Sequence, residues 1–256
     1  MSAETVELRN CTTLDDFRAC LVLQQEIWGF SDVELVPLRV FSLAPKIGGQ
    51  VVGAWDGSTM IGFALAIPGS RNGHSYLHSH MVGVREAYRN IGLGRRIKLF
   101  QREEAITRGF ELMEWTFDPL EIKNSYFNLD RLGAIARRYN INQYGITSSP
   151  LQGFLPTDRL VAEWWLTSNQ ARSVLAGKPP GFEPELRIVV PAQVYSWKSQ
   201  PATRNRAADL QLGNRNQFLT AFSKGLACLG YERDTNGNGA FLLGRWNECW
   251  SYATKG

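Results

Sequence analysis

Residues 50–67, Q-V-V-G-A-W-D-G-S-T-M-I-G-F-A-L-A-I, contain two β-rich runs joined by Asp56-Gly57. Asp-Gly between alternating apolar residues is among the strongest short-range signals for a β-hairpin, because the tight turn needs a residue that accepts positive φ. That hairpin commits this part of the chain to antiparallel pairing. A second polar turn, G-S-R-N-G, leads into Tyr76 to Val84, which reads as the third strand of a meander. From Gly92 to Arg108 the apolar positions Leu93, Ile97, Leu99, Phe100 and Ile106 recur at helical spacing, and Gly109 stands where a C-cap would. Residues 111–117, E-L-M-E-W-T-F, form the next strand, Asp118-Pro119 breaks it, and Asn124 to Leu132 reads as a helix closed by Gly133. The order is hairpin, strand, loop, helix, strand, helix.

The flanking regions extend this pattern. Residues 5–9 alternate as a short strand, and Thr13 with Asp16 has the spacing of a capping box ahead of a helix over Leu14 to Trp28. Asn140 to Tyr144 and Leu160 to Leu166 are strand candidates, and Gly177-Lys-Pro-Pro-Gly181 marks a linker or long loop. The last part holds an extended run Leu186 to Val190, a helix near Gln217 to Leu229, and a hairpin turning at Thr235 to Gly239. The expected organisation is a core over 1–170 and a C-terminal extension or small subdomain over 171–256.

Composition narrows the function classes. With 256 residues, 44% apolar and 20% charged, the chain can bury a substantial core and is not disordered. A net charge of +4, with acidic residues interspersed, is weak for a nucleic-acid binder. Cys11, Cys20, Cys228 and Cys249 form no C-x-x-C pair or metal-ligand spacing, which suggests a reduced compartment and packing roles. The start M-S-A-E-T-V-E-L-R-N lacks a secretion pattern, and no apolar run approaches the ~18 residues that span a membrane. The expectation is a cytoplasmic protein with no nucleic-acid or membrane partner; a homo-oligomer is left open.

The chemistry concentrates in L-H-S-H-M-V-G-V-R-E-A-Y-R-N-I-G-L-G-R-R, residues 77–96. Arg89-Asn-Ile-Gly92-Leu-Gly94 puts a basic residue before a glycine loop that opens a helix. The unpaired amides there and the positive end of the helix dipole suit an anion. There is no G-K-[ST] and no G-x-G-x-x-G, which argues against a nucleoside-triphosphate loop and a dinucleotide fold. A pyrophosphate would fit, and a tight turn alone would also use these glycines.

Val84-Arg-Glu-Ala-Tyr-Arg89-Asn-Ile-Gly92-Leu-Gly94 resembles the acyl-CoA motif of the GNAT N-acetyltransferase superfamily. Ser79-His-Met-Val-Gly-Val84, Trp115-Thr-Phe-Asp-Pro-Leu120, Asn124 to Gly133 and Pro156-Thr-Asp-Arg159 resemble an uncharacterised bacterial branch of it, over roughly residues 5–230. The resemblance implies a GNAT fold of the α/β (α+β) class: a mixed, mostly antiparallel twisted sheet flanked by helices, with a C-terminal α/β extension. It implies that Val82, Gly83 and Val84 pair with pantetheine and that Arg89, Asn90, Ile91, Gly92, Leu93, Gly94 and Arg95 hold the CoA pyrophosphate. Asn124 matches an Asn that contacts pantetheine or a buried water. Many members carry a Tyr about seven residues later to protonate the leaving thiolate; here position 131 is Arg, and Tyr126, Tyr139 and Tyr144 are substitutes by residue type alone.

On a regular strand His78, His80, Val82 and Val84 would form one row and Leu77, Ser79 and Met81 the other. Direct acyl transfer needs a base, because a free alkylamine with pKa near ~10 is protonated at neutral pH. The H-x-H spacing is similar to that of arylalkylamine N-acetyltransferases, which implies proton removal by His80 and His78; local hydrogen bonding or packing is the alternative. Zinc needs three or four ligands, and beyond His74 the chain has no further histidine, so no metal is expected. Asp118 either orients a cationic substrate or caps the turn with Pro119, and Trp164-Trp165 reads as core. The expected function is acyl-CoA-dependent N-acyl transfer to the amine of a small molecule or amino acid, with acetyl-CoA, or alternatively succinyl-CoA, as co-substrate. A GNAT-like acyl-CoA sensor without turnover is the second expectation.

Overall fold

Thr13 and Asp16 cap α1 (Leu14–Trp28) reciprocally. Thr13 Oγ1 accepts from the Asp16 amide at 3.1 Å, and Asp16 Oδ2 accepts from the Thr13 amide at 3.1 Å. Arg9, on β1 (Glu7–Asn10), grips the same carboxylate through two nitrogens at 2.8 and 3.2 Å. That guanidinium holds the Asp16 carboxyl well below the usual carboxylate range and ties strand to helix. The computed structural model describes residues 6–29, 35–145, 154–178 and 181–252.

The chain forms two compact units, one of residues up to Met113 together with Tyr252, the other of Glu114–Ser251. The expected boundary near residue 170 falls inside the second unit. Residues 179 and 180 of the expected linker lie outside the described residues.

In the first unit β1, β2 (Gln50–Asp56), β3 (Thr59–Arg71) and β4 (His74–Val84) pair antiparallel in that order. The turns are sharper than the sequence suggested. Asp56 pairs with Thr59, so Gly57 and Ser58 are the central residues of the first hairpin and Gly57 takes φ +56°. Asn72 and Gly73, at φ +50° and +79°, turn the second, as a two-residue hairpin with both central residues left-handed requires. Alternation then sorts the faces. Val51, Phe63 and Leu65 pack with Phe17, Cys20 and Leu23 of α1 and Phe41 of α2 (Leu38–Leu43). Val52, Ala54 and Ala64 pack with Leu93 and Ile97 of α3 (Leu93–Thr107). Each fully buried large side chain contributes about 1.5–3 kcal/mol.

The second unit begins along β5 (Leu112–Phe117), which spans the junction. It continues with α4 (Ile122–Tyr126), a π-helical turn over 127–131, β6 (Ile135–Asn140), β7 (Arg159–Trp165), α5 (Asn169–Leu175) and β8 (Leu186–Val190). Then come α6 (Val194–Ser199), α7 (Arg204–Ser223), β9 (Leu226–Arg233) and β10 (Gly239–Arg245). Its strands lie in the order β5-β7-β6-β9-β10-β8, with β6 antiparallel to β7 and β9, and β10 antiparallel to β9 and β8. Trp164 and Trp165 are buried core residues as expected.

Two elements differ from the sequence reading. The strand expected over Asn140–Tyr144 is β6 at Ile135–Asn140, and residues beyond it turn, with Asn142 at φ +47°. The helix expected over Gln217–Leu229 is α7, which stops at Ser223; Gly225 takes φ +76°, and Leu226–Arg233 is a strand. A short apolar run such as L-A-C-L-G-Y reads equally as helix or buried strand. The front of α7 was obscured because its buried stripe is partly polar: Gln211 donates to the Pro156 carbonyl at 2.9 Å and Asn214 to that of Val189 at 3.2 Å.

Pro156-Thr-Asp-Arg159 closes this unit. Asp158, fully buried, accepts from Tyr139 Oη at 2.7 Å, from the Asn142 amide at 3.0 Å, and from Arg215 Nε and Nη2 at 2.7 and 3.0 Å. Asp158→Ala removes a fully buried carboxylate and leaves the part-buried Arg215 guanidinium, the Tyr139 hydroxyl and the Asn142 amide without that acceptor, and should cost about 3–5 kcal/mol. Urea unfolding followed by tryptophan fluorescence checks this; a loss of only about 0–1 kcal/mol, as for an exposed pair, would contradict it.

Candidate functional site

The β3–β4 ladder runs Gly62 to Val84, Phe63 to Gly83, Ala64 to Val82 and Leu65 to Met81, and then pairs Ala66 with Ser79. His80 is therefore the extra residue of a β-bulge. One extra residue shifts the alternation of everything before it. Val82 and Val84 pack on the α3 side. Met81 lies on the α1 side, as does Ile67, the register partner of His78. Ser79 is on the α3 side, where its hydroxyl meets Gln101 and Lys98 of α3. The single row expected for His78, His80, Val82 and Val84 is thus broken: His78 shares a face with Met81, and Ser79 shares one with Val82.

The two imidazoles remain neighbours, with ring centroids 6.2 Å apart. His78 is half-buried, whereas His80 keeps a solvent-open side. The protein mass around His80 nevertheless desolvates its ring and lowers its pKa below the ordinary 6.5. A neutral imidazole at pH 7 can accept a proton. Gly83 has a packing reason of its own, since a Cβ there would come within 2.8 Å of Ile27 Cδ1 and 2.9 Å of Trp28 Cη2.

The loop after β4 is pinned at several points. The Arg85 amide donates to the Ile61 carbonyl at 2.8 Å, and its guanidinium meets Glu26 through Nε and Nη2 at 2.7 and 2.8 Å. Tyr88 Oη donates to Asp56 Oδ2 at 2.6 Å, and Arg89 Nε to the Val84 carbonyl at 3.1 Å. Asn90 at φ +64° and Gly92 at φ +83° then bend the chain into α3. No side chain caps that helix, whose first backbone bond joins the Arg96 amide to the Gly92 carbonyl at 3.1 Å. The amides of Leu93, Gly94 and Arg95 lie ahead of the helical ladder. A Cβ at Gly92 or Gly94 would meet nothing within 4 Å. Arg89, Asn90, Ile91 and Gly92 are exposed, Gly94 and Arg95 are partly so, and the Leu93 side chain belongs to the core. Arg96 turns back to donate to the Val6 carbonyl at 2.8 Å. Backbone amides at a helix start and basic side chains beside them both favour negative charge, so this arrangement could cradle an anion.

Asn124 lies in the second unit, exposed on α4, where its Oδ1 accepts from Asn128 Nδ2 at 3.4 Å; Asn128 Oδ1 in turn takes the Trp115 indole at 3.1 Å. Asp118 is a turn cap, accepting from the Leu120 amide at 2.8 Å, and its other oxygen lies 3.3 Å from Lys198 Nζ. Among the substitute acids, Tyr139 donates to Asp158, and burial pushes its pKa up. Tyr144 Oη lies 3.2 Å from Thr116 Oγ1, and Tyr126 sits beside the Arg233 guanidinium. Sequence reasoning missed Lys98 and Gln101; their signal was their place on the buried side of α3 with Leu93, Ile97 and Ala105.

Solved acetyltransferases share this architecture. The ribosomal-protein-S18-alanine N-acetyltransferase from Escherichia coli is 15% identical with a TM-score of 0.51, over 64% of this chain and 95% of that one. A protein described as a GNAT-family acetyltransferase from Desulfovibrio desulfuricans is 16% identical with a TM-score of 0.52, over 63% and 99%. The chain carries a GNAT-like fold. An N-acetyltransferase from Staphylococcus aureus agrees at 11% identity and a TM-score of 0.52, over 63% and 99%. No protein-family model and no curated protein matches the sequence. The GNAT-like fold is a mixed, mostly antiparallel sheet with helices, and part of this chain lies outside each match. No helix among the described residues is long and apolar enough to cross a membrane.

Desolvation of His80 yields a sign that can be checked. Because folding lowers its pKa below 6.5, its contribution to stability is complete above that value and is lost as pH falls through the folded value. An NMR titration should place the His80 midpoint below 6.5 in the native protein and return it to the ordinary value in urea. A native midpoint at or above 6.5 contradicts the desolvated site.

Proposed function

We propose that this protein is an acyl-CoA-dependent N-acyltransferase. The observation that carries the reading is the uncapped start of α3, with open space at Gly92 and Gly94, directly after a bulged strand that presents a low-pKa histidine. In this reading the amides and basic groups of Arg89, Asn90, Ile91, Gly92, Leu93, Gly94 and Arg95 hold the pyrophosphate. The backbone of Val82, Gly83 and Val84 aligns the pantetheine arm. His80, with His78 beside it, takes the proton of the attacking amine. The nitrogen attacks the thioester carbonyl, the C–S bond breaks, and the CoA thiolate leaves and is protonated from solvent. Acetyl-CoA is the favoured donor and succinyl-CoA the alternative; the acceptor is a small-molecule amine or amino acid. General-base assistance of this kind contributes about 10²–10⁴-fold.

Arg at position 131, where many GNAT enzymes place a tyrosine acid, favours a second reading in which the protein binds acyl-CoA as a sensor without turnover. Calorimetry with acetyl-CoA, succinyl-CoA and CoA tests both, since no binding to any of them sinks both. Thiol release with an amine panel separates them: turnover abolished in His80→Ala marks the enzyme, and binding with no turnover marks the sensor.

Gly94→Glu tests the cradle with opposite signs in its two readouts. The new side chain enters open space, and a carboxylate in the first turn suits the helix dipole by about 0.3–1 kcal/mol, so melting temperature should hold or rise. The same charge repels a pyrophosphate, and CoA affinity should fall at least about tenfold, or 1.4 kcal/mol. Unchanged CoA affinity would move the anion site elsewhere.

A further inference from the structure

Beneath the bulge lies a buried polar cluster. Lys98, 2% exposed, donates from Nζ to Ser79 Oγ at 3.0 Å and lies 3.4 Å from Met113 Sδ. Ser79, itself buried, donates to Gln101 Oε1 at 3.3 Å, and Gln50 Nε2 donates to the Gln101 carbonyl at 3.0 Å. Among the described residues Gln101 Nε2 and Gln50 Oε1 have no hydrogen-bond partner. Enclosing an amine and two amides in this way costs stability. Burial drives the Lys98 amine well below its ordinary pKa, and hydrocarbon would fill the same space more cheaply.

The ladder suggests what the cluster accomplishes. Beyond the bulge, Met81 and Gly83 are seated among α1-side groups and Val82 and Val84 among α3-side groups, so apolar packing sets that half of the strand. A strand without the bulge would turn Ser79 toward the apolar side occupied by Phe63 and Leu65 and swing both histidines to the α3 side. Before the bulge, the Lys98–Ser79–Gln101 chain holds Ser79 on the α3 side.

We propose that Lys98 is a positioning residue: by holding Ser79 from beneath, it fixes the one-residue bulge that ejects His80 from the strand and so aims the imidazole. This role rests on the reading of His80 as the base, and one arm of the test is independent of that reading.

The test uses the full chain with Lys98→Met, Ser79→Ala and Ser79→Thr. With three histidines in the sequence, imidazole NMR resolves His80 without any ligand. Lys98→Met and Ser79→Ala should displace the His80 resonance and its titration midpoint, whereas Ser79→Thr, which keeps the hydroxyl, should restore them. With acetyl-CoA and the best amine, kcat should fall about 10- to 100-fold in the first two variants, as misplacement of a reacting group by about 1 Å predicts. KM for acetyl-CoA should stay within about twofold, because the anion cradle is untouched, a pattern of lost transition-state stabilisation alone. Lys98→Met should also be at least as stable as the parent at pH 7. An unmoved His80 resonance in a folded Lys98→Met protein overturns the proposal, whatever the activity. A moved resonance with no acyl-CoA turnover in the parent supports the clamp and rejects the acyltransferase reading instead. If Lys98→Met does not fold, the Ser79→Ala and Ser79→Thr pair decides: equal spectra in the two overturn the role.

Discussion

The pairing of β3 with β4, and the single extra residue within it, is the constraint on which the first unit depends. Before the bulge His78 stands opposite Ile67; after it Met81 stands opposite Leu65. Because side chains alternate with period two, one inserted residue exchanges the faces of the two half-strands. Beyond the bulge the strand is seated between aromatic and aliphatic groups of α1 and α2 on one side and Leu93 and Ile97 of α3 on the other, and before it Ser79 meets Lys98 and Gln101 of α3. His80 escapes both layers, and that leaves it open to solvent in a strand whose neighbours are largely covered.

The glycine loop after β4 depends on the same strand. Arg85 closes on Glu26 of α1, Tyr88 on Asp56 of β2, and Arg89 on the last carbonyl of β4. These contacts flank the left-handed Asn90 and Gly92, and no side chain caps the first amides of α3. A helix start left uncapped leaves its first amides without an intrahelical acceptor, and the proposed anion site rests on that feature. Among the described residues nothing lies within 4 Å of a Cβ at Gly94.

Fold and site were legible to different depths. The hairpins, the α1 capping box and α3 were written in local chemistry: glycine and asparagine at turns, Thr13 with Asp16, and apolar residues at helical spacing. The end of α7 was not, because the apolar run after it suits strand or helix equally and its own buried face uses Gln211 and Asn214. The turn into α3 was marked by Asn90 and Gly92, which take positive φ. The histidine row was misjudged, since a bulge has no signature in the residues that form it. The burial of Lys98 has no local signature, because a lysine on a helix is ordinarily a surface residue.

The sequence by itself determined the strand–loop–helix order of residues 50–108 and the glycine-bearing turn into α3, because φ preference, capping and periodicity act within a few residues. Only the tertiary structure decided where His80 points, that Ser79 and Val82 share a face, and that Lys98 is enclosed with its amine against Ser79. Those outcomes rest on register between strands and on the packing of two helical layers against them, which join residues far apart in the chain and leave no local trace.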